Sequence, residues 1–189
     1  MHADNWANKA KQSGYRTRAV YKLDEIVLKT RALRKSKYIL DLGSAPGGWS
    51  QYVKQKSKLS EVFAIDILDM ESVEGVHFFK ESIEEIDSID SIYSLIGSFD
   101  LVISDIAPNL TGINAIDSEN IFELNDLTLD TAVRYLNKSN GCFIMKTFQN
   151  NMLKNLRKKM ELSFKIVQTF KPAASKKQSG EIYLYGAHK

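Results

Sequence analysis

Seven short apolar runs of strand character recur along this chain, and most neighbouring runs are separated by a stretch with helical spacing. YILDLG (38–43), EVFAIDIL (61–68), VHFFK (76–80), FDLVISD (99–105), GCFIMKTF (141–148), FKIVQTF (164–170) and EIYLYG (181–186) read as the strands. GGWSQYVKQK (47–56), SIDSIYSLIG (88–97), a long stretch over roughly 119–137 and NMLKNLRKKMEL (151–162) read as helices. Ahead of the first strand, residues 15–31 carry Val20, Leu23, Ile26 and Val27 at helical spacing among basic side chains. Strands that alternate with helices build a parallel sheet covered on both faces. The last two strands are joined by the helix-poor loop PAASKKQSG (172–180), so one antiparallel edge strand is expected. The expected class is α/β, a Rossmann-like, mostly parallel sheet with helices on both faces. The 189 residues suit one domain, 1–189, large enough to bury a real core.

In such a sheet the first strand-to-helix turn faces the crevice where ligands bind. Here it reads DLGSAPGGWS, and Gly43, Gly47 and Gly48 permit a tight turn and close approach of a ligand to main chain. The N–H groups that open the next helix favour an anionic group. Asp66 ends the second strand, 23 residues after Gly43, where a carboxylate can accept hydrogen bonds from both hydroxyls of an adenosine ribose. The spacing G-x-x-x-G-G is not the G-x-G-x-x-G of dinucleotide sites, and no Gly-Lys-Ser/Thr follows as in triphosphate-binding loops. An adenosine-containing cofactor of another kind is the expectation.

Charge is segregated. Residues 1–37 hold ten Lys/Arg against three Asp/Glu, residues 146–189 ten against two, and the stretch between them six against eighteen, within a net charge of +3. If the basic ends meet in space they form one face for a polyanion, and the Lys/Arg of 9–37 and 154–177, Arg16, Arg34 and Lys176 among them, are expected to contact phosphates. A single cysteine, Cys142, allows no internal disulfide, and His2, His77 and His188 show no ligand spacing, so neither a disulfide framework nor a metal site is expected. No apolar stretch approaches the ~20 residues of a membrane span, and the polar first fifteen residues lack the centre of a signal peptide. The cytoplasm is the expected location.

Two residues draw notice on their own. Lys146 interrupts the apolar run Cys142–Met145 toward the end of the fifth strand, where an unpaired charge is costly and where this architecture places its site. Asp105 ends the fourth strand beside the same crevice and precedes the stiff turn Ala107-Pro108-Asn109. Lys22 and Glu181 are unremarkable taken alone.

DLGSAPGGWSQ, SDIAPNLTG, the strand IMKTFQ and the tail SGEIYLYG, in that order, resemble the FtsJ/RlmE family of S-adenosylmethionine-dependent ribosomal RNA ribose 2′-O-methyltransferases, from about Ser13 to the end of the chain. The resemblance implies a seven-stranded methyltransferase fold that binds S-adenosyl-L-methionine, its methionine moiety against Gly43, Gly47 and Trp49, its ribose near Asp66, and Asp105 beside it. Where the family usually has Gly-Asp after the third strand, this chain reads Glu81-Ser82, so Ser82 offers a hydroxyl and backbone groups at the adenine. Lys176 stands where the family tends to have arginine, a point charge in place of a phosphate fork.

The resemblance also makes Lys22, Asp105, Lys146 and Glu181 a catalytic tetrad, with Lys146 the proton acceptor or the group that steers the attacking hydroxyl. Burial and the charge of Lys22 would lower the pKa of Lys146, and the two carboxylates would raise it. The implied substrate is a uridine ribose of large-subunit ribosomal RNA, within the 50S particle and late in its assembly. The protein is expected to act as a monomer, with residues 1–37 as a basic helical segment contributing to RNA binding. A transfer-RNA or cap ribose methyltransferase, or an assembly factor acting mainly by binding, are the alternatives.

Overall fold

The computed structural model describes residues 2–109, 111–176 and 178–188, with side chains from Asn5 onward. Leu110 of the SDIAPNLTG motif and Lys177 of the expected basic face lie outside them. Two helices, α1 (His2–Gln12) and α2 (Val20–Thr30), lead into β1 (Tyr38–Leu42), α3 (Gly48–Lys56), β2 (Glu61–Asp66) and β3 (Val76–Lys80). A 3-10 helix (Ile83–Ser88) and the single turn α4 (Asp90–Tyr93) follow, then β4 (Leu101–Ser104), α5 (Asn114–Tyr135), β5 (Cys142–Phe148), α6 (Leu153–Ser163), β6 (Ile166–Phe170) and β7 (Glu181–Ala187).

The seven strands form one sheet in the order β3-β2-β1-β4-β5-β7-β6. All neighbouring pairs are parallel except those of β7, which runs antiparallel to both β5 and β6. The antiparallel strand expected at the edge therefore lies one place in from it, and β6 is the edge. The loop after β6 reverses the chain without a crossover. The returning strand, buried along nearly its whole length, takes the inner slot, while the half-polar β6 is left outside.

Alternation along the strands divides the core into two layers. Leu40, Leu42, Phe63, Ile65, Val102, Phe143 and Met145 face the 3-10 helix, α5 and α6. Ile39, Val62, Leu101, Ile103, Ile144, Tyr183 and Tyr185 face α2 and α3. Burying each such side chain contributes about 1.5–3 kcal/mol, which fixes the strand register against a slip of one residue.

Two helices differ from the sequence reading. In place of one helix over 88–97 there is only the single turn α4, preceded by the 3-10 helix, because Ser82 caps a first turn there and Ile83, Ile86, Ile89 and Ile92 recur at the three-residue period of that geometry. α5 begins at Asn114, ahead of the expected 119, because Asp117 in its first turn accepts the N–H groups of Thr111 and Gly112 and so closes the loop early.

Candidate active site

The strand order reverses between β1 and β4, and the site lies at the carboxyl ends of the strands there. Alternation selects its members. β5 presents Cys142, Ile144 and then Lys146 to the α2 side, β7 presents Glu181 and Tyr183, and Asp105 continues the row of Leu101 and Ile103. Lys22 descends from α2 onto the same row and is buried. All four residues of the expected tetrad thus converge.

They form two ion pairs. Lys146 Nζ lies 3.2 Å from Asp105 Oδ1 and also donates to the main-chain oxygen of Asp105. Lys22 Nζ lies 2.8 Å from both Glu181 oxygens, and the Ser175 hydroxyl donates to Glu181 Oε1 at 2.8 Å. Burial alone would push the Glu181 carboxyl up, but Lys22, Ser175 and Lys146 outweigh it and hold it below the usual range. Tyr183, unnoticed in the sequence because it reads as one more apolar strand residue, joins the pairs. Its hydroxyl donates to Asp105 Oδ1 at 2.9 Å, and its ring centre lies 5.9 Å from Lys22 Nζ. Burial, reinforced by Asp105 and Glu181, raises the phenol far above its ordinary value, so it remains a donor.

Beside the tetrad is a cavity of about 670 Å³, lined by Gly43 and Ala45, by Asp66 and the residues after it, by Glu81–Glu84, by Asp105–Asn109, by Leu124 and Leu127 of α5, and by Lys146. Five sequence-selected residues, Gly43, Asp66, Ser82, Asp105 and Lys146, meet there. Both Asp66 oxygens already accept main-chain N–H groups, of Ala45 and Leu68, each at 2.8 Å, and lone pairs remain for ribose hydroxyls. Ser82 caps the 3-10 helix through its Oγ, with Glu81 and Glu84 on either side of it at the cavity wall.

Three expectations change. The Trp49 indole does not line the cavity; it is buried against Tyr183 and donates to the Ala19 carbonyl at 3.0 Å. What Trp49 offers a ligand is its main-chain N–H in the first turn of α3, which has no acceptor within the helix. The glycines of the turn also make room for protein. A Cβ on Gly43 would lie 2.8 Å from Ile106, one on Gly47 2.8 Å from both Arg16 and Met70, and one on Gly48 2.5 Å from Thr17. Arg16, counted among the phosphate contacts, donates to the carbonyls of Pro46, Glu71 and Ser72.

The basic ends meet only in part. Lys22 and Glu25 of α2 bond Glu181 and the Ala173 N–H, which brings the first basic segment to the loop before β7. The basic helix α6 instead packs in the layer opposite α2, where Lys159 pairs with Asp126 and Arg157 with Glu161.

Asp41 on β1 was not singled out in the sequence. It is fully buried and accepts the Ser50 hydroxyl at 2.6 Å, and burial, the nearby charges of Asp105 and Asp66 adding to it, pushes its carboxyl up to about 7. Among the described residues, no group of three or more His, Cys, Asp and Glu could hold a metal ion, and no helix is long and apolar enough to cross a membrane.

The cavity suits S-adenosylmethionine. Its volume is that of a small-molecule site, its acidic members Asp66, Glu81, Glu84 and Asp105 complement a cationic ligand, and Ser44 Oγ in the turn is buried without a partner. A mostly parallel sheet with this order, and a charged tetrad next to a cavity of small-molecule size at its switch point, define a Rossmann-like methyltransferase. The family profile described as FtsJ-like methyltransferase matches residues 15–189, and the chain belongs to that family. Its methyl donor is accordingly S-adenosylmethionine.

Similar proteins include the Ribosomal RNA large subunit methyltransferase E of Ehrlichia chaffeensis, 39% identical over 186 residues that cover 97% of this chain and 87% of that protein. The protein of the same name from Hahella chejuensis is 41% identical, covering 97% and 90%. A crystal structure of a ribosomal RNA methyltransferase from Plasmodium falciparum superposes with a TM-score of 0.80 at 29% identity, over 92% of this chain and 97% of that one.

Proposed function

We propose that this protein methylates the ribose 2′-hydroxyl of one uridine in large-subunit ribosomal RNA, acting as a monomer on the 50S particle in the cytoplasm. The observation that carries the reading is Lys146, a side chain at the cavity wall held by two oxygens of Asp105. S-adenosylmethionine, when bound, supplies an electrophilic methyl group. A ribose hydroxyl is a poor nucleophile, so the chain's task is to align it and to help remove its proton. Alignment of reactants can supply ~7–11 kcal/mol, and a positioned base about 10²–10⁴-fold.

In this reading Lys146 Nζ meets the attacking hydroxyl, and Asp105, itself held by the Tyr183 hydroxyl, fixes where Nζ points. Lys22 and Glu181 flank the entry of the ribose and hold β7 against α2. Gly43 and the main-chain N–H groups opening α3, at Gly48 and Trp49, would hold the cofactor, with Gly47 shaping the turn. Asp66 would receive its ribose, and Ser82 with its acidic neighbours would receive the adenine. Basic residues of 1–37 and of the loop before β7, Lys176 included, take the RNA phosphates. Mapping 2′-O-methylation across all stable RNAs, with and without this protein, tests the proposal. One large-subunit position should lose its methyl group, and a loss confined to transfer RNA or to no RNA would contradict it.

A further inference from the structure

Two walls of the cavity are loops, and a side chain outside the cavity ties them together. Arg16, just ahead of α2, donates from Nη1 to the Pro46 carbonyl at 3.0 Å and to the Glu71 carbonyl at 2.6 Å, and from Nη2 to the Ser72 carbonyl at 2.6 Å. Pro46 belongs to the turn after β1, while Glu71 and Ser72 belong to the segment after β2 whose first residues, Ile67 and Leu68, line the cavity. The base of Arg16 is fixed as well. Its main-chain N–H donates to Gln51 Oε1 at 3.1 Å, and Gln51 Nε2 donates to the Gly14 carbonyl at 2.8 Å, which anchors the segment to α3. Gly47 is shaped to this arrangement: its φ is +95°, and a Cβ there would lie 2.8 Å from Arg16 Nη1 and from Met70 Sδ. On the cavity side, Asp66 makes the matching link between the loops through the Ala45 and Leu68 N–H groups.

We infer that Arg16 is a positioning residue for the methyl donor, setting the spacing of the two loops that enclose it, and is not a phosphate contact. The inference rests on the placement of S-adenosylmethionine in this cavity. A guanidinium presents its donors in a fixed planar fork, so one side chain satisfies carbonyls on two separate loops at once. A lysine brings the charge without that geometry. With the donor held between these loops their spacing sets its affinity, so Arg16 should govern affinity for the donor and leave the chemical step and RNA binding alone.

The test uses the full chain with S-adenosylhomocysteine as probe, followed by calorimetry, beside the salt dependence of binding to a large-subunit rRNA fragment and steady-state kinetics. Loss of a hydrogen bond from a charged donor is worth about tenfold or more. Arg16→Ala should therefore weaken S-adenosylhomocysteine by at least that factor and raise KM for S-adenosylmethionine in parallel. Its kcat at saturating donor should stay within about threefold, with an unaltered salt slope. Arg16→Lys should fall between Arg16→Ala and wild type, and it carries the test if Arg16→Ala does not fold. Unchanged probe affinity with a salt slope lower by about 0.7–0.9 would make Arg16 a phosphate contact and overturn the inference. So would a fall in kcat with KM unchanged. Asp66→Ala separates the two claims. If it too leaves probe affinity unchanged, the placement of the donor is wrong. If it weakens the probe and neither Arg16 variant does, only the role of Arg16 fails.

Discussion

Replacing Glu181 by methionine would leave the Lys22 ammonium buried without its counter-charge, and the size of the penalty follows from the geometry. Lys22 is 8% exposed, and its Nζ sits 2.8 Å from the carboxylate. At an effective dielectric of about 20 their attraction is ~6 kcal/mol, most of it offset by the several kcal/mol each ion loses on leaving water. Removing one partner forfeits the attraction and keeps the desolvation, so Glu181→Met should cost about 3–5 kcal/mol. Lys22→Met should cost less, because Ser175 and Lys146 still support Glu181. The double variant removes both desolvation terms and should return close to wild-type stability. Urea unfolding of the four proteins gives the cycle, with shifts in midpoint at constant slope as the readout. Single costs below about 1 kcal/mol that simply add would mean a solvated pair, and the reasoning about this half of the tetrad would be wrong. The same geometry fixes a sign in acid. Glu181 ionises below its ordinary value when folded, so its contribution is present above the ordinary carboxylate range and is lost as pH falls through the folded value.

Asp41 works in the opposite direction: its folded value of about 7 against an ordinary 3.8 means that stability is full below 3.8 and that about 4 kcal/mol is lost as pH rises through 7. Asp41→Asn should therefore gain on wild type between pH 5 and pH 8 in urea midpoints, and a margin independent of pH would contradict the buried carboxyl. Gly43→Ala, at φ +72° and 2.8 Å from Ile106, should cost about 1–2 kcal/mol for the backbone and weaken S-adenosylhomocysteine as Ile106 is pushed aside. Adding Ile106→Ala should recover part of the lost affinity in calorimetric titrations, and no recovery would contradict displacement of Ile106 as its cause. Tyr183→Phe removes one hydrogen bond to Asp105, so turnover should fall about tenfold while probe affinity holds, and an unchanged rate would remove Tyr183 from the site.

The strands were legible because each buries an unbroken or alternating apolar run, and the first turn because a glycine cluster interrupts such a run. Lys146 and Asp105 were visible for the same physical reason, a charge at the end of a buried strand. Lys22 and Glu181 carry no such mark: each sits at the edge of a polar stretch, and only folding places them 2.8 Å apart, so they were reached through the family resemblance alone. Tyr183 was hidden by its apolar neighbours, since nothing in EIYLYG says which tyrosine meets an aspartate 78 positions away. The loop contacts of Arg16 were hidden because a basic residue in a basic segment gives no sign that its donors end on main-chain carbonyls. The inner position of β7 depended on a comparison of burial between two strands that the loop length alone does not decide. The direction of Trp49 was hidden because, in the first turn of a helix, the N–H points out of the helix start while the side chain of the same residue turns into the core.

Single-turnover methylation of large ribosomal particles lacking the modification decides whether Lys146 acts on the attacking hydroxyl. With particles and S-adenosylmethionine both saturating, Lys146→Ala should show essentially no methyl transfer while binding S-adenosylhomocysteine and particles as tightly as wild type, since the lost contact matters in the transition state. Lys146→Arg should restore little, because a guanidinium keeps its proton and has a different shape. A Lys146→Ala protein that transfers the methyl group near the wild-type rate would contradict the account.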